Sequence, residues 1–189
     1  MPFKLLLASG SPRRGELLLQ INVEYQRIKA GIDETQQVAE SAEHYVQRLA
    51  LEKALAGLHN NKQQGVVLGA DTIVVCDGIV MEKPQDKLHA KQMMNRLSGN
   101  THQVFTAVAL VSAQQQAVQL VTTDVTFKNL SDQEISDYWE TGEPQDKAGG
   151  YGIQGIAGQF VTHISGSYSA VVGLPLYETA QLIKRFEEA

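Results

Sequence analysis

The sequence predicts an α/β protein, because short apolar runs of strand type alternate with segments whose apolar residues recur at helical spacing. The runs at 3–7 and 73–76 are short and bounded by turn residues, which is typical of buried strands. The segments 41–58 and 176–187 carry one-sided apolar stripes, which is typical of helices packed on a core. The chain has 189 residues, which suits one large domain or two small lobes.

Local signals mark the elements of the first half of the chain. Ser11 is a good N-cap and Pro12 suits the first position of a helix, so a helix directly follows the first strand. Asp77 and Gly78 form a strong hairpin signal. In this half, strands are predicted at 3–7, 23–29 and 79–81, and an apolar run of strand type over 66–76 is interrupted by residues 69–72. Helices are predicted from Pro12, from Ser41 to about Leu58, and between a cap at Asp86 and an end at Gly99.

The second half contains a long antiparallel strand pair and two helices. Ser131 and Glu134 form a capping box, which predicts the start of a helix that Gly142 ends. Pro175 fits the first position of the last helix. Strands are predicted at 102–111, 118–127 and 160–164. The last helix is predicted at 176–187, with apolar positions at Leu176, Ala180, Ile183 and Phe186.

Composition limits the classes of function. The formal net charge of −5 argues against a general nucleic-acid surface and against an anionic-membrane surface. No apolar segment reaches the roughly 18 residues of a membrane span, and Gly10, Pro12 and two arginines break the N-terminal apolar run that a signal peptide would need. The single cysteine, Cys76, excludes an internal disulfide and agrees with a reducing compartment, so we expect a cytoplasmic protein.

The stretch from Ala8 to Arg14 joins the first strand to the first helix and suits an anion. It places Arg13 and Arg14 in the first helical turn, where the helix dipole already supplies partial positive charge. A polyphosphate shared by backbone N–H groups, the hydroxyls of Ser9 and Ser11 and the two guanidinium groups would explain this arrangement. The alternative is an ordinary strand-to-helix turn with two solvated arginines.

Charged residues also stand where apolar residues are expected. Lys53 falls within a core-facing helical stripe, so either its stem packs while its ammonium reaches water, or its charge points into a cleft that holds an anion. Asp71 lies between two buried-strand segments, where a carboxylate is costly unless it is paired or bound to metal. A structural pair of Asp71 with Thr72 is the alternative. Glu34 is a further candidate, in a loop where plain solvation or capping of the next helix is the alternative. Lys83, after the return strand, is another.

The segment 146–155 contains four glycines together with Lys147, Tyr151 and Gln154. A backbone of this kind can wrap closely around a flat ligand. A glutamine amide has one donor side and one acceptor side, which suits the edge of a nucleotide base. A flexible linker is the alternative, although a linker does not normally interleave Tyr151 and Ile153.

The sequence lacks several familiar catalytic motifs. No histidine has zinc-ligand spacing to another ligand, and there is no P-loop and no G-x-G-x-x-G motif after a strand. Ser9 and Ser11 lack the G-x-S-x-G elbow of a hydrolase nucleophile. The cations, carboxylates and base-reading loop instead suit phosphoryl chemistry on a nucleotide, in which a metal and cations take up developing charge while a carboxylate activates water.

Taken in order, these residues resemble the Maf family of nucleoside triphosphate pyrophosphatases, and the resemblance covers nearly the whole chain. Arg13, Thr72 and Gln154 resemble the dTTP/UTP branch of that family rather than the 7-methyl-GTP branch. The matching segments are 7–14, 33–34, 48–50, 52–54, 69–72, 82–84, 147–149, 151–155 and 172–175.

The resemblance implies a single domain over residues 1–189, with a long twisted mixed sheet flanked by helices and two lobes around a central cleft, as in the inosine triphosphate pyrophosphatases. It also implies a homodimer, a divalent cation (Mg²⁺ or Mn²⁺), and hydrolysis of dTTP and UTP to the monophosphate and diphosphate. Asp71 would accept a proton from the attacking water and also hold metal, with Glu34 as a metal ligand. The other implied roles are catalytic phosphate contacts by Lys53 and Lys83, substrate binding by Ser9, Arg13 and Arg14, and base selection by Thr72 and Gln154.

Two other functions stay open at this point. A nucleotide-binding regulator of septum formation would bind the nucleotide as a signal, with incidental hydrolysis, but such a sensor does not need a carboxylate that activates water. A nucleotidyltransferase would need a second acceptor pocket, which the sequence does not reveal.

Overall fold

The computed structural model describes residues 4–62 and 64–188, and it confirms the α/β prediction. Phe3, expected at the start of the first strand, lies outside the described residues. The strands are β1 (Leu5–Leu7), β2 (Tyr25–Arg27), β3 (Val66–Cys76), β4 (Ile79–Met81), β5 (Thr101–Val111), β6 (Gln116–Phe127) and β7 (Val161–Ser165). The α-helices are α1 (Pro12–Gln20), α2 (Ala42–Asn60), α3 (Lys87–Leu97), α4 (Asp132–Glu140), α5 (Tyr168–Val172) and α6 (Leu176–Glu187).

The strands form one mixed sheet with helices on its flanks. Its order is β2-β1-β3-β5-β6-β7, and β4 pairs with β3 beside this path. β1 runs parallel to both β2 and β3, whereas β4 is antiparallel to β3 and β7 is antiparallel to β6. The predicted mixture of strand directions is therefore confirmed.

The chain divides into two compact units, and three strands contribute to both. The first unit comprises the described parts of 1–71, 106–121 and 173–189, and the second comprises 72–105 and 122–172. The division falls within β3 after Asp71, within β5 after Phe105 and within β6 after Val121.

In the first unit, α2 packs unusually close to the sheet. A Cβ atom on Gly69 of β3 would lie 2.2 Å from the Ala50 carbonyl oxygen and 2.6 Å from the Ala54 amide nitrogen. Real side chains do not approach backbone atoms to such distances, so only glycine permits this contact. The close approach brings the residues of α2 that follow Ala50 against the part of β3 that carries Asp71.

In the second unit, the core is built around aromatic rings. Phe127 contacts the ring of Tyr151 edge-on with centroids 4.9 Å apart, and His102 packs edge-on against both rings. Tyr138 packs edge-on against Phe160 at 5.3 Å. Each of these side chains is buried, so the glycine-rich segment that contains Tyr151 is anchored in the core and is not a free linker.

The helices begin where the sequence predicted caps. Ser41 accepts a hydrogen bond from the His44 amide, and the capping box of Ser131 and Glu134 is complete. The Ser11 side chain is an exception, because it makes no capping hydrogen bond to α1. No helix within 4–62 and 64–188 combines the length and the apolar character needed to cross a membrane.

Two local predictions were wrong. β3 runs without a break from Val66 to Cys76, although Gly69 and Asp71 had predicted an interruption. In α6, Ile183 and Phe186 are buried as predicted, whereas Ala180 is exposed and Thr179 and Leu182 are buried in addition.

Candidate active site

The turn after β1 has the form that an anion site at a helix start requires. Ser9 is buried, and its hydroxyl oxygen accepts a hydrogen bond from the Ser11 amide at 3.2 Å. Because the Ser11 side chain does not cap α1, the first amide groups of the helix keep their hydrogen-bonding capacity for another acceptor. These amides could bind an anion at the start of α1, which stays a prediction.

The two arginines of this turn differ in what they contact. Arg14 donates from Nε to the Gly173 carbonyl at 2.9 Å and from Nη1 to the Ser9 hydroxyl at 3.0 Å. Arg13 is half-buried and has no hydrogen bond or ion pair to the part of the chain that the structure describes. Arg14 thus ties the turn to the segment before α6, and Arg13 is the better placed of the two for an incoming anion.

Arg14 also belongs electrostatically to the carboxylate cluster of the first unit. Burial lowers the pKa of Arg14, while the negative charges of Asp71 and Glu34 act in the opposite direction. A guanidinium stays protonated in proteins, so the residue remains a cation. Arg14, in the turn after β1, therefore interacts electrostatically with both carboxylates.

Lys53 is the centre of that cluster. Its Nζ atom donates to Asp71 Oδ1 at 2.7 Å, and it lies 3.1 Å from Glu34 Oε1. The Lys53 and Asp71 side chains are only 10% and 11% exposed, whereas Glu34 is 58% exposed. The structure thus neutralises the Lys53 ammonium with side chains of the protein itself. A cleft in which Lys53 meets an anion stays a prediction.

Glu34 is held by a network that the sequence analysis did not predict. The Tyr45 hydroxyl donates to the Glu34 carbonyl at 2.6 Å. Arg48 donates to the Thr35 carbonyl at 3.0 Å and grips the Glu40 carboxylate with bonds of 2.7 and 2.9 Å. These contacts fasten the loop that carries Glu34 onto α2, and the bonds from Arg48 lower the pKa of Glu40 to about 2.

Arg48 could have been noticed from its place in the sequence. It lies in one of the segments that resemble the Maf family, although no role was assigned to it there. Arg48 and Glu52 are four residues apart, a spacing that suggests an ion pair along a helix, and the structure shows this pair at 3.1 Å. The bond to the Thr35 carbonyl depends on the fold of the loop and has no sequence signal.

The two carboxylates that meet at Lys53 form a donor set that a divalent cation can use. Mg²⁺ in proteins commonly takes one or two carboxylates, with substrate phosphates and water completing its coordination. Within 4–62 and 64–188, no cluster of three or more His, Cys, Asp or Glu side chains could hold a metal by itself. A divalent cation held by Glu34 and Asp71 would therefore need further oxygen donors, such as phosphate and water, to complete its coordination.

Three predicted site residues belong to the second unit. Thr72 directly follows Asp71 and is half-buried, and Lys83 is exposed two residues after β4. Gln154 is exposed in a turn that the Gly155 amide closes by donating to the Gly152 carbonyl at 3.0 Å. The close approach at Gly149 is to the protein itself, because a Cβ there would lie 2.7 Å from Val74. The wrapping of this backbone around a flat ligand stays a prediction.

Comparison with known proteins agrees with the resemblance seen in the motifs. A family model described as Maf-like protein matches residues 4–186. The dTTP/UTP pyrophosphatase of Vibrio parahaemolyticus serotype O3:K6 is 57% identical over 182 residues, which are 96% of this chain and 96% of that protein. The dTTP/UTP pyrophosphatase of Shigella dysenteriae serotype 1 is 58% identical over 182 residues, which are 96% of this chain and 92% of that protein.

A more distant likeness is found among solved structures. The Staphylococcus aureus Ham1 protein superposes with a TM-score of 0.48 and 14% identity, covering 66% of this chain and 71% of that protein. A likeness at this level says nothing about activity.

The family model and the close relatives, which span nearly the whole sequence, show that the chain belongs to the Maf family.

Proposed function

We propose that this protein is a nucleoside triphosphate pyrophosphatase that hydrolyses dTTP and UTP to the nucleoside monophosphate and diphosphate. The observation that carries the proposal is the Lys53 ammonium, which is 2.7 Å from Asp71 and 3.1 Å from Glu34. A lysine and two carboxylates in one cluster are residue types that phosphoryl chemistry uses, the cation to take up phosphate charge and a carboxylate to hold metal or activate water. The relatives at 57% and 58% identity carry the name dTTP/UTP pyrophosphatase, which supports the same substrate class here.

Asp71 is the proposed proton acceptor for the attacking water. Lys53 fixes the carboxylate through Oδ1, and a carboxylate has further lone pairs that can accept a hydrogen bond from water. The neighbouring backbone is the interior of a sheet strand, so the carboxylate is held on a rigid element. A base in a fixed position within hydrogen-bond reach of its water is what general base catalysis requires.

A divalent cation, Mg²⁺ or Mn²⁺, would be held by Glu34 and Asp71. When bound, such a cation neutralises phosphate charge and stabilises the charge that develops in the transition state. Arg48 and Tyr45 hold the loop of Glu34 in place for that role. Lys53 then keeps the two carboxylates together, although each carries a negative charge.

The remaining predicted residues would bind the substrate. Ser9, Arg13 and Arg14 would contact the phosphates through the turn after β1, supported by the amides at the start of α1. Lys53, whose ammonium has a third donor, and Lys83 would make the catalytic phosphate contacts, while Thr72 and Gln154 would select the base. We also propose a homodimer that acts in the cytoplasm, as the family resemblance and the single cysteine suggested.

A panel of nucleoside triphosphates tests the proposal. Purified protein with Mg²⁺ or Mn²⁺ should release diphosphate from dTTP and UTP but not from 7-methyl-GTP. Gln154→Glu should erode the preference for pyrimidine nucleotides, because it replaces the donor side of the amide with a second acceptor. Binding of dTTP without any turnover would reject the enzyme and favour a nucleotide-binding regulator.

A further inference from the structure

The turn that carries Gln154 is held at both of its ends by Tyr138 of α4 and by Glu143, which follows α4. On its first side, the Gly152 amide donates to the Tyr138 hydroxyl at 3.3 Å. On its far side, the Ile156 and Ala157 amides donate to the Glu143 carboxylate at 2.8 and 3.3 Å.

The two clamping side chains are joined to each other. The Tyr138 hydroxyl donates to Glu143 Oε1 at 2.8 Å, so one oxygen network connects both ends of the turn. Tyr138 is 2% exposed, and its ring is fixed against Phe160. Burial raises the pKa of Glu143, but its hydrogen bonds from Ile156, Tyr138 and Ala157 outweigh this effect and leave the pKa below its ordinary value. Glu143 therefore stays ionised and accepts all of these bonds at neutral pH.

The turn also packs tightly against the Glu143 carboxylate. A Cβ atom on Gly155 would lie 2.1 Å from Glu143 Oε2, so the carboxylate occupies the space beside this residue. Glycine at 155 thus permits the closest approach of the turn to its acceptor. The result is a short, doubly anchored turn with Gln154 exposed between the anchors.

We propose that Tyr138 and Glu143 are positioning residues for Gln154, and that the clamp they form determines how tightly the protein holds the nucleotide base. The proposal rests on the proposed function, since it takes Gln154 as the base-reading residue. Neither Tyr138 nor Glu143 needs to touch the substrate. They fix the backbone of the turn, so the Gln154 amide is already ordered when the base arrives and less freedom is lost on binding.

Two ligands separate this role from a general structural role. One is an α,β-methylene analogue of dTTP, which carries the base and resists cleavage between the α- and β-phosphorus atoms. The other is inorganic tripolyphosphate, which has the phosphates but no base. Calorimetry with Mg²⁺ gives the dissociation constant of each ligand for the wild-type protein and for each variant.

The variants are Tyr138→Phe and Glu143→Gln, with Glu140→Gln as the matched control. Tyr138→Phe keeps the packed ring and removes the hydroxyl. Glu143→Gln leaves one oxygen where the carboxylate offers two, so at least one donor of the network loses its acceptor. Glu140 is exposed near the same helix end and pairs with Lys87, away from the turn.

Both clamp variants should weaken binding of the dTTP analogue roughly 10-fold, the effect of losing about one hydrogen bond. Tripolyphosphate should bind within about 2-fold of wild type, and Glu140→Gln should change neither ligand. Amide hydrogen exchange should accelerate at residues 152–157 in both clamp variants. Equal weakening of both ligands, or unchanged analogue binding despite faster exchange at the turn, would overturn the proposal.

The same experiment distinguishes this inference from the proposed function. Selective loss of analogue binding in the clamp variants, with no hydrolysis of dTTP by wild type, would leave the clamp standing and reject the enzyme. Hydrolysis by wild type with identical analogue binding in all four proteins would reject the clamp and leave the enzyme standing.

Discussion

Replacing Asp71 with asparagine tests the cluster around Lys53, because it removes one charge while keeping the shape of the side chain. In the wild-type protein, the Lys53 side chain is 10% exposed and its ammonium lies 2.7 Å from Asp71. After the substitution, Glu34 at 3.1 Å is the remaining carboxylate of the cluster, and it is 58% exposed. Water therefore screens the remaining pair far more than the pair that is lost.

The structure gives the size of the expected effect. Breaking a buried ion pair by removing one partner typically costs about 3–5 kcal/mol of the free energy of unfolding. Because Glu34 still faces Lys53, we expect Asp71→Asn to lie at the lower end, about 3 kcal/mol. Glu34→Gln removes an exposed partner from the same ammonium and should cost about 1 kcal/mol or less.

Urea unfolding, followed by circular dichroism, measures both variants. With a slope of about 2 kcal/mol per M urea, Asp71→Asn should move the unfolding midpoint by about 1.5 M and Glu34→Gln by about 0.5 M or less. Diphosphate release from dTTP at saturating Mg²⁺ should fall about 100-fold or more in Asp71→Asn, the usual cost of losing a general base. Equal destabilisation by the two substitutions, or near-wild-type turnover by Asp71→Asn, would refute the reasoning.

Three further predictions follow from the packing and the charges. Gly69→Ala should cost about 3 kcal/mol of unfolding free energy by thermal or urea unfolding, because its Cβ would meet the Ala50 carbonyl at 2.2 Å; wild-type stability would contradict the packing of α2 on β3. Burial lowers the pKa of His102 to about 4, so the free energy of unfolding should be highest above pH 6.5 and should fall by about 3 kcal/mol as the pH drops to 4. His102→Asn should flatten this dependence of stability on pH, and an unchanged dependence would show that other groups cause it. Arg48→Lys removes the forked guanidinium contacts, including the bond to the Thr35 carbonyl. The Mg²⁺ concentration needed for half-maximal activity should therefore rise roughly 10-fold. An unchanged metal titration would show that Arg48 does not hold the loop.

Features with a local physical cause could be predicted from the sequence. The Asp77–Gly78 turn gives a hairpin between β3 and β4, and the capping box of Ser131 and Glu134 starts α4, because the residues that determine each are adjacent or within one helical turn. The fold class followed from the alternation of strand and helix segments, and the mixed sheet followed from the family resemblance.

Features that depend on distant partners could not be predicted in the same way. Gly69 and Asp71 had suggested an interruption of β3, but the glycine accommodates α2 and the aspartate is paired with Lys53, 18 residues earlier in the sequence. Once those partners are present, neither residue breaks the strand. The sequence identified both charged residues as unusual, whereas their pairing with each other requires the packing of the helix on the sheet.

The supporting network of the candidate site was the part least visible in the sequence. Tyr45 and Arg48 hold the Glu34 loop through backbone carbonyls, and such bonds have no residue pattern. Tyr138 and Glu143 likewise contact backbone groups, because they accept hydrogen bonds from amides of the Gln154 turn. Sequence motifs therefore indicated the residues proposed to act on the substrate, while the residues that position them emerged only from the structure.

The most direct test of the central claim is the identity of the products formed from dTTP. Phosphorus NMR of dTTP incubated with the wild-type protein and Mg²⁺ should show dTMP and diphosphate appearing in equal amounts, with neither dTDP nor orthophosphate. That result would establish hydrolysis of the bond between the α- and β-phosphates by this protein. Formation of dTDP with orthophosphate, or unchanged dTTP, would contradict it.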